Sequence, residues 1–110
     1  MEDITVDPSF THWVLFNLPG DSRELPEAIP TQGQLSNGAL QGKNDFGTIG
    51  YAGPCPPAGQ IHKYSFTIYG TKKPLNLNAG ASKEEVLDAL QLPLGGPVRG
   101  LGQTVGTYGR

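Results

Sequence analysis

Basic charge, cysteine and long apolar runs are all scarce in this sequence, and each scarcity excludes a class of function. Eight Lys and Arg stand against ten Asp and Glu, a formal net charge of −2. They form no cluster of the kind that neutralises a row of phosphates, so no nucleic-acid partner is expected. Lys72–Lys73 reads as a solvated turn. The single cysteine, Cys55, can form no internal disulfide. No apolar run approaches the roughly 18 residues of a transmembrane helix, and the acidic start Met1-Glu2-Asp3 is unlike a secretory leader. Asn-x-Ser/Thr acceptors are missing as well. The expectation is a cytoplasmic protein with no transmembrane segment. Gly-x-Ser-x-Gly, His-Glu-x-x-His and phosphate-loop patterns are absent. Asp7, His12, Cys55 and His62 lack the short paired spacings of zinc ligands. No enzymatic activity, metal or cofactor is expected.

What the chain does have is sixteen glycines and ten prolines in 110 residues. That load excludes a helix bundle, since Gly costs about 1 kcal/mol and Pro about 3 kcal/mol in a helix interior. The length suits one domain, residues 1–110, with one core. Thr11–Leu18 is dense in β-formers and ends at Pro19-Gly20, which predicts a strand buried on both faces. Asp21–Ile29 reads as a loop, and Thr31–Gly50, with five glycines, as a long irregular connection. Tyr51–Gly59 holds three prolines and is rigid without being regular. His62–Thr71 alternates cleanly. His62, Tyr64, Phe66 and Ile68 share one face, expected to meet the core. Ser82-Lys83-Glu84-Glu85 is a capping box opening a helix of about nine residues that Pro93 blocks. Thr104–Tyr108 fits a short final strand. The reading is a mainly β, antiparallel fold with one short helix in its C-terminal half.

Few residues could carry chemistry. His12 is either an outward strand histidine or a polar group lining a pocket at the end of a sheet. His62 opens the alternating strand directly after the proline loop, where ligand contacts are common. Asp7, before Pro8, serves as a turn initiator, or as an acid that keeps a nearby histidine protonated for an anion. Tyr51 and Tyr64 flank the loop, and at a pocket mouth a tyrosine hydroxyl would donate to a ligand oxygen. Cys55, between two prolines, reads as a small structural residue.

The order of these residues resembles a known family. Thr11-His12-Trp13-Val14-Leu15-Phe16-Asn17-Leu18-Pro19, Asn44-Asp45-Phe46-Gly47, Gly50–Gly59 with its Gly-Pro-Cys-Pro-Pro run, and His62–Tyr69 are similar to segments of the phosphatidylethanolamine-binding protein family. The branch is the bacterial Raf-kinase-inhibitor-like one. The ending Gly106-Thr107-Tyr108-Gly109-Arg110 looks like that branch's C-terminus. The resemblance implies a β-sandwich of antiparallel sheets with a small pocket for phosphate-like anions or phospholipid head groups. It implies Asp7, His12, His62 and Tyr64 as pocket residues, and Gly53, Pro54, Pro56 and Pro57 as the pocket wall. An alternative it implies is a kinase-inhibitor-like role toward a protein partner. Only six residues precede Asp7, and Pro93, Gly95, Gly96 and Pro97 interrupt the family's late helix. The expectation is therefore a domain incomplete at its N-terminus, possessing unpaired edges that favour a homo-oligomer.

Overall fold

The Thr11–Leu18 run changes sheets halfway along. In the computed structural model, which describes residues 1–22, 24, 25, 27–71, 73–90 and 98–110 (the side chains of 98–101 excepted), it forms two short strands. Strand β2 (Phe10–Thr11) lies on β1 (Glu2–Asp3), while β3 (Leu15–Phe16) pairs with β4 (Leu40–Gln41) in a second sheet. Between them the His12 and Trp13 amides both donate to the Met1 carbonyl, at 2.9 and 3.3 Å, and Val14 O accepts from Gly42 N at 2.9 Å. The backbone bonds are thus handed from one sheet to the other at His12–Val14, which is why the single predicted strand does not form.

The first sheet has the order β2-β1-β5-β6, all antiparallel. Its spine is β5 (Ile61–Thr71), as the alternation predicts, paired along its length with β6 (Val98–Gly109). Strand β6 has twelve residues, longer than the short strand expected at Thr104–Tyr108. Eleven residues of partner on β5 offer hydrogen bonds that outweigh the poor strand propensity of its glycines. β1 reaches only part of β5, with Glu2 opposite Ser65 and Asp3 opposite Tyr64. His62 and Tyr64 are buried, as expected. Phe66 and Ile68 are not: Ile68 is 72% exposed, because β1 ends before reaching them. The two line an open groove of about 820 Å³ with Leu87 and Leu90.

The core lies between the second sheet and the helix. Val14, Phe16 and Ala81 form its buried centre, and Leu40, Leu75, Leu77 and Val86 pack around it. Gly42 is required there: a Cβ would run into the Ala81 carbonyl and come within 2.9 Å of Val14 Cγ1. Gln41 is fully buried, and its amide is saturated. Trp13 Nε1 donates to Oε1 at 2.8 Å, and Nε2 donates to Pro30 O at 2.7 Å and Gln32 O at 2.8 Å. That ties the start of the long 31–50 connection and the His12–Val14 crossover to β4. The capping box forms as read, with Ser82 N donating to Glu85 Oε1 and Glu85 N to Ser82 Oγ, both at 3.1 Å. It opens α1 (Lys83–Leu90), eight residues long, which Lys83 ties to β1 through an ion pair with Glu2. The expected helix stop at Pro93 and the interruptions at Gly95, Gly96 and Pro97 lie outside the described residues, as does Lys72.

Candidate functional site

Four stretches of the chain, within residues 3–12, 45–46, 55–57 and 62–64, wall one cavity of about 560 Å³. β1 supplies Asp3, the crossover after β2 supplies His12, and the start of β5 supplies His62 and Tyr64. The proline loop closes it with Cys55, Pro56 and Pro57, and the turn after β4 adds Asp45 and Phe46. Asn44 builds that turn. Its Oδ1 accepts from Phe46 N at 3.0 Å and Thr48 N at 3.2 Å, and its Nδ2 donates to Gly50 O at 3.0 Å.

His12 is 4% exposed. Nδ1 donates to Ala52 O at 2.8 Å, since a carbonyl can only accept. The ring sits edge-on among Phe10, Phe46 and Tyr64, with centroids 5.3–5.4 Å away. That leaves Nε2 with no protein partner among the described residues. Yet every side-chain nitrogen or oxygen sealed from solvent there has a partner, so Nε2 is open to the cavity. The same holds for Tyr64 Oη on a side chain 3% exposed. Burial, the Asp3 carboxylate, Cys55 and Tyr108 all push the Tyr64 phenol above its ordinary value, so it stays a neutral donor.

His62 is fully engaged. Nδ1 lies 2.7 Å from Asp3 Oδ2, and Nε2 lies 2.8 Å from Gln60 Oε1. Asp3 itself is 6% exposed, and its second oxygen accepts from Thr5 N at 3.0 Å. The acid partnered with the histidine is therefore Asp3, and the assignment of Asp7 is corrected. Asp7 is exposed on the loop before β2, joined to Pro8 by a cis peptide bond, and does not line the cavity, whereas Pro8 does. The physical reason is register: Asp3 stands directly opposite Tyr64 on β5. His12, His62, Tyr64, Pro56 and Pro57 line the one cavity together. Gly53 and Pro54 are not among the residues that line it. Tyr51 packs edge-on against Trp13, at 5.7 Å, outside the cavity.

Sequence reasoning missed Asp3, Asp45, Phe46 and the cavity position of Cys55. For Asp45 and Phe46 a signal existed in the Asn44-Asp45-Phe46-Gly47 run, whose Asn side chain organises the turn. Cys55, expected to be structural, is exposed, with Arg110 Nη1 3.2 Å from its sulfur. Among the described residues no group of three or more His, Cys, Asp or Glu is placed to hold a metal ion, and no helix is long and apolar enough to cross a membrane.

Comparison with known proteins gives this geometry a context. A UPF0098 protein of Methanothermobacter thermautotrophicus is 48% identical over 101 residues, covering 92% of this chain and 64% of the relative. A UPF0098 protein of Pyrococcus horikoshii is 45% identical over 105 residues, covering 93% and 50%. UPF0098 protein YbhB of Escherichia coli is 37% identical over 82 residues, covering 73% and 52%. Among solved structures, a putative phosphatidylethanolamine-binding protein homologue from Chlamydia trachomatis superposes with a TM-score of 0.77 at 32% identity, covering 94% of this chain and 61% of that one. The chain thus spans between half and two-thirds of the length of these relatives. The family described as phosphatidylethanolamine-binding protein matches residues 1–108. With that match, a mainly β antiparallel fold and a structural neighbour of the same kind, the chain belongs to the phosphatidylethanolamine-binding protein family.

Proposed function

We propose that the cavity binds a small phosphate-type anion presented singly, as on a phosphate monoester or a phospholipid head group, without chemical turnover. One observation carries this reading: His12 Nε2 and Tyr64 Oη, on side chains 4% and 3% exposed, open on the same cavity without a protein partner among the described residues. Polar atoms on buried side chains nearly always have partners, and here a ligand oxygen would supply the missing one. Ala52 O fixes the proton on His12 Nδ1, so a charged ring turns Nε2 into a second donor beside the phenol, and charge-assisted bonds to an oxyanion are the strong kind. The walls support a single, small anion. Asp3 is spent on His62 and Thr5, and Asp45 Oδ2 accepts from Thr11 N at 2.7 Å.

Asp45 together with the Phe10 and Phe46 rings, 4.8 Å apart, favours a ligand whose phosphate is tethered to an ammonium group. Calorimetric titration with inorganic phosphate and with phosphoethanolamine tests both parts. Both ligands bind, phosphoethanolamine more tightly. His12→Ala weakens either one by about tenfold or more, the loss of one charge-assisted hydrogen bond. An absence of heat with both ligands, together with unmoved His12 ring signals in NMR, would overturn the reading.

A further inference from the structure

The two histidines of the cavity are not equally free. His12 leaves Nε2 open, but His62 has both nitrogens occupied, one by Asp3 and one by Gln60. The two partners differ in kind. Asp3 is buried and held a second time by Thr5 N. Gln60 is exposed, and no other side-chain hydrogen bond holds its amide among the described residues. Its backbone, by contrast, is fixed. Gln60 N donates to Pro57 O at 3.0 Å, closing a tight turn whose third residue, Gly59, has φ +82°. Arg110 holds the same stretch from outside, with Gly59 N donating to Arg110 O at 2.9 Å and Arg110 N to Gln60 O at 3.3 Å. The side chain can therefore leave His62 by rotating into solvent while the backbone stays in place.

We propose that Gln60 is a built-in competitor for the ligand: its side-chain amide occupies the His62 nitrogen that an anion oxygen would otherwise take, and it sets the pocket's affinity by having to be displaced. This rests on the anion-binding reading above and names the residue that regulates it. In the empty cavity the amide satisfies a buried ring that would otherwise lose a hydrogen bond. An incoming oxyanion meets His12 Nε2 and Tyr64 Oη first, and takes His62 Nε2 once Gln60 swings away. The aspartate side of the ring is unchanged by the exchange, so the imidazole stays oriented throughout.

The test uses the full chain with Gln60→Ala and Gln60→Glu, read by ring-nitrogen NMR without ligand and by titration with inorganic phosphate. Because the side chain is exposed, both variants keep the fold. Gln60→Ala moves the His62 Nε2 signal in the free protein and tightens phosphate binding by roughly fivefold to tenfold, the worth of one part-buried hydrogen bond no longer displaced. Gln60→Glu, which puts a fixed negative charge on the same nitrogen, weakens it by tenfold or more. If Gln60→Ala leaves the affinity equal or lower, or leaves the His62 signal unmoved, Gln60 is no competitor. Wild-type binding that His12→Ala abolishes would in that case leave the anion reading standing. If the His62 signal moves but phosphate binds neither chain, the anion reading fails and takes the competitor role with it.

Discussion

The two halves of β5 invert the usual relation between polarity and burial. Its first half, His62–Ser65, carries an imidazole, a phenol and a hydroxyl, each 7% exposed or less; its second half puts Phe66 and Ile68 in an open groove. The strand and its β6 partner run the full length of both halves, so pairing does not separate them. What separates them is β1. It lies across the first half alone, with Glu2 opposite Ser65 and Asp3 opposite Tyr64. Polar groups are buried where a long-range partner arrives to satisfy them, and apolar ones stay in the open where none arrives among the described residues. The fold places its most demanding side chains beside a strand of only two residues.

Breaking the brace on the first half should have the largest effect. Asp3→Ala removes the acceptor from a buried imidazole, frees the Thr5 amide and cuts the side-chain tie between β1 and β5. Breaking a buried pair by deleting one partner costs about 3–5 kcal/mol. Against a domain stability of roughly 5–15 kcal/mol that is a large fraction. Urea unfolding should show it directly, with Asp7→Ala as the control that changes stability by no more than about 0.5 kcal/mol, as expected of an exposed side chain. Equal losses from the two aspartates would undo the contrast between them.

A smaller effect sharpens the comparison within the first half. Tyr64→Phe deletes one hydroxyl that no described residue engages, so stability near neutral pH should change by less than about 1 kcal/mol while phosphate affinity falls about fivefold to tenfold. The phenol also gives a pH signature. Its folded value is raised, so the native state holds that proton more tightly than the unfolded chain. Stability is then unaffected below the ordinary phenol range and declines as pH climbs through and above it. In Tyr64→Phe that alkaline decline is reduced, measurable as a shallower fall of Tm between about pH 9.5 and 11. An unaltered alkaline profile would mean that burial does not hold the proton on Tyr64.

Much of this organisation was legible in the residues. The alternation of His62–Thr71 marked β5, the capping box marked α1, and the order of His12, the proline run and His62 marked the cavity. The illegible parts share a cause: they depend on which distant segments pair. Asp3 looks like part of an acidic terminus until Glu2–Asp3 is laid on Tyr64 and Ser65, some sixty residues on, whereas Asp7 sits in a conspicuous Asp-Pro. The Thr11–Leu18 run has the composition of one strand, and only the competing partners β1 and β4 divide it. Phe66 and Ile68 obey the same alternation as His62 and Tyr64. The pattern gives the face each residue shares, but what covers that face is decided elsewhere in the chain.

The smallest effect is expected at the far end of β5, and it tests the contrast most directly. Ile68 is 72% exposed, so Ile68→Ala removes little apolar surface that folding takes from water, and unfolding should shift by no more than about 0.5 kcal/mol. A fully buried isoleucine would lose about 2–5 kcal/mol on the same truncation. The two magnitudes do not overlap, so one denaturation curve distinguishes an open groove from a covered one. If the larger value appears, something seals Phe66 and Ile68 in solution. Light scattering on the same samples then separates a second copy, whose loss on mutation would make the stability depend on protein concentration, from cover supplied within the chain, for which it would not. A small value at Ile68 beside a large one at Asp3 would establish that this strand's stability resides in its polar half.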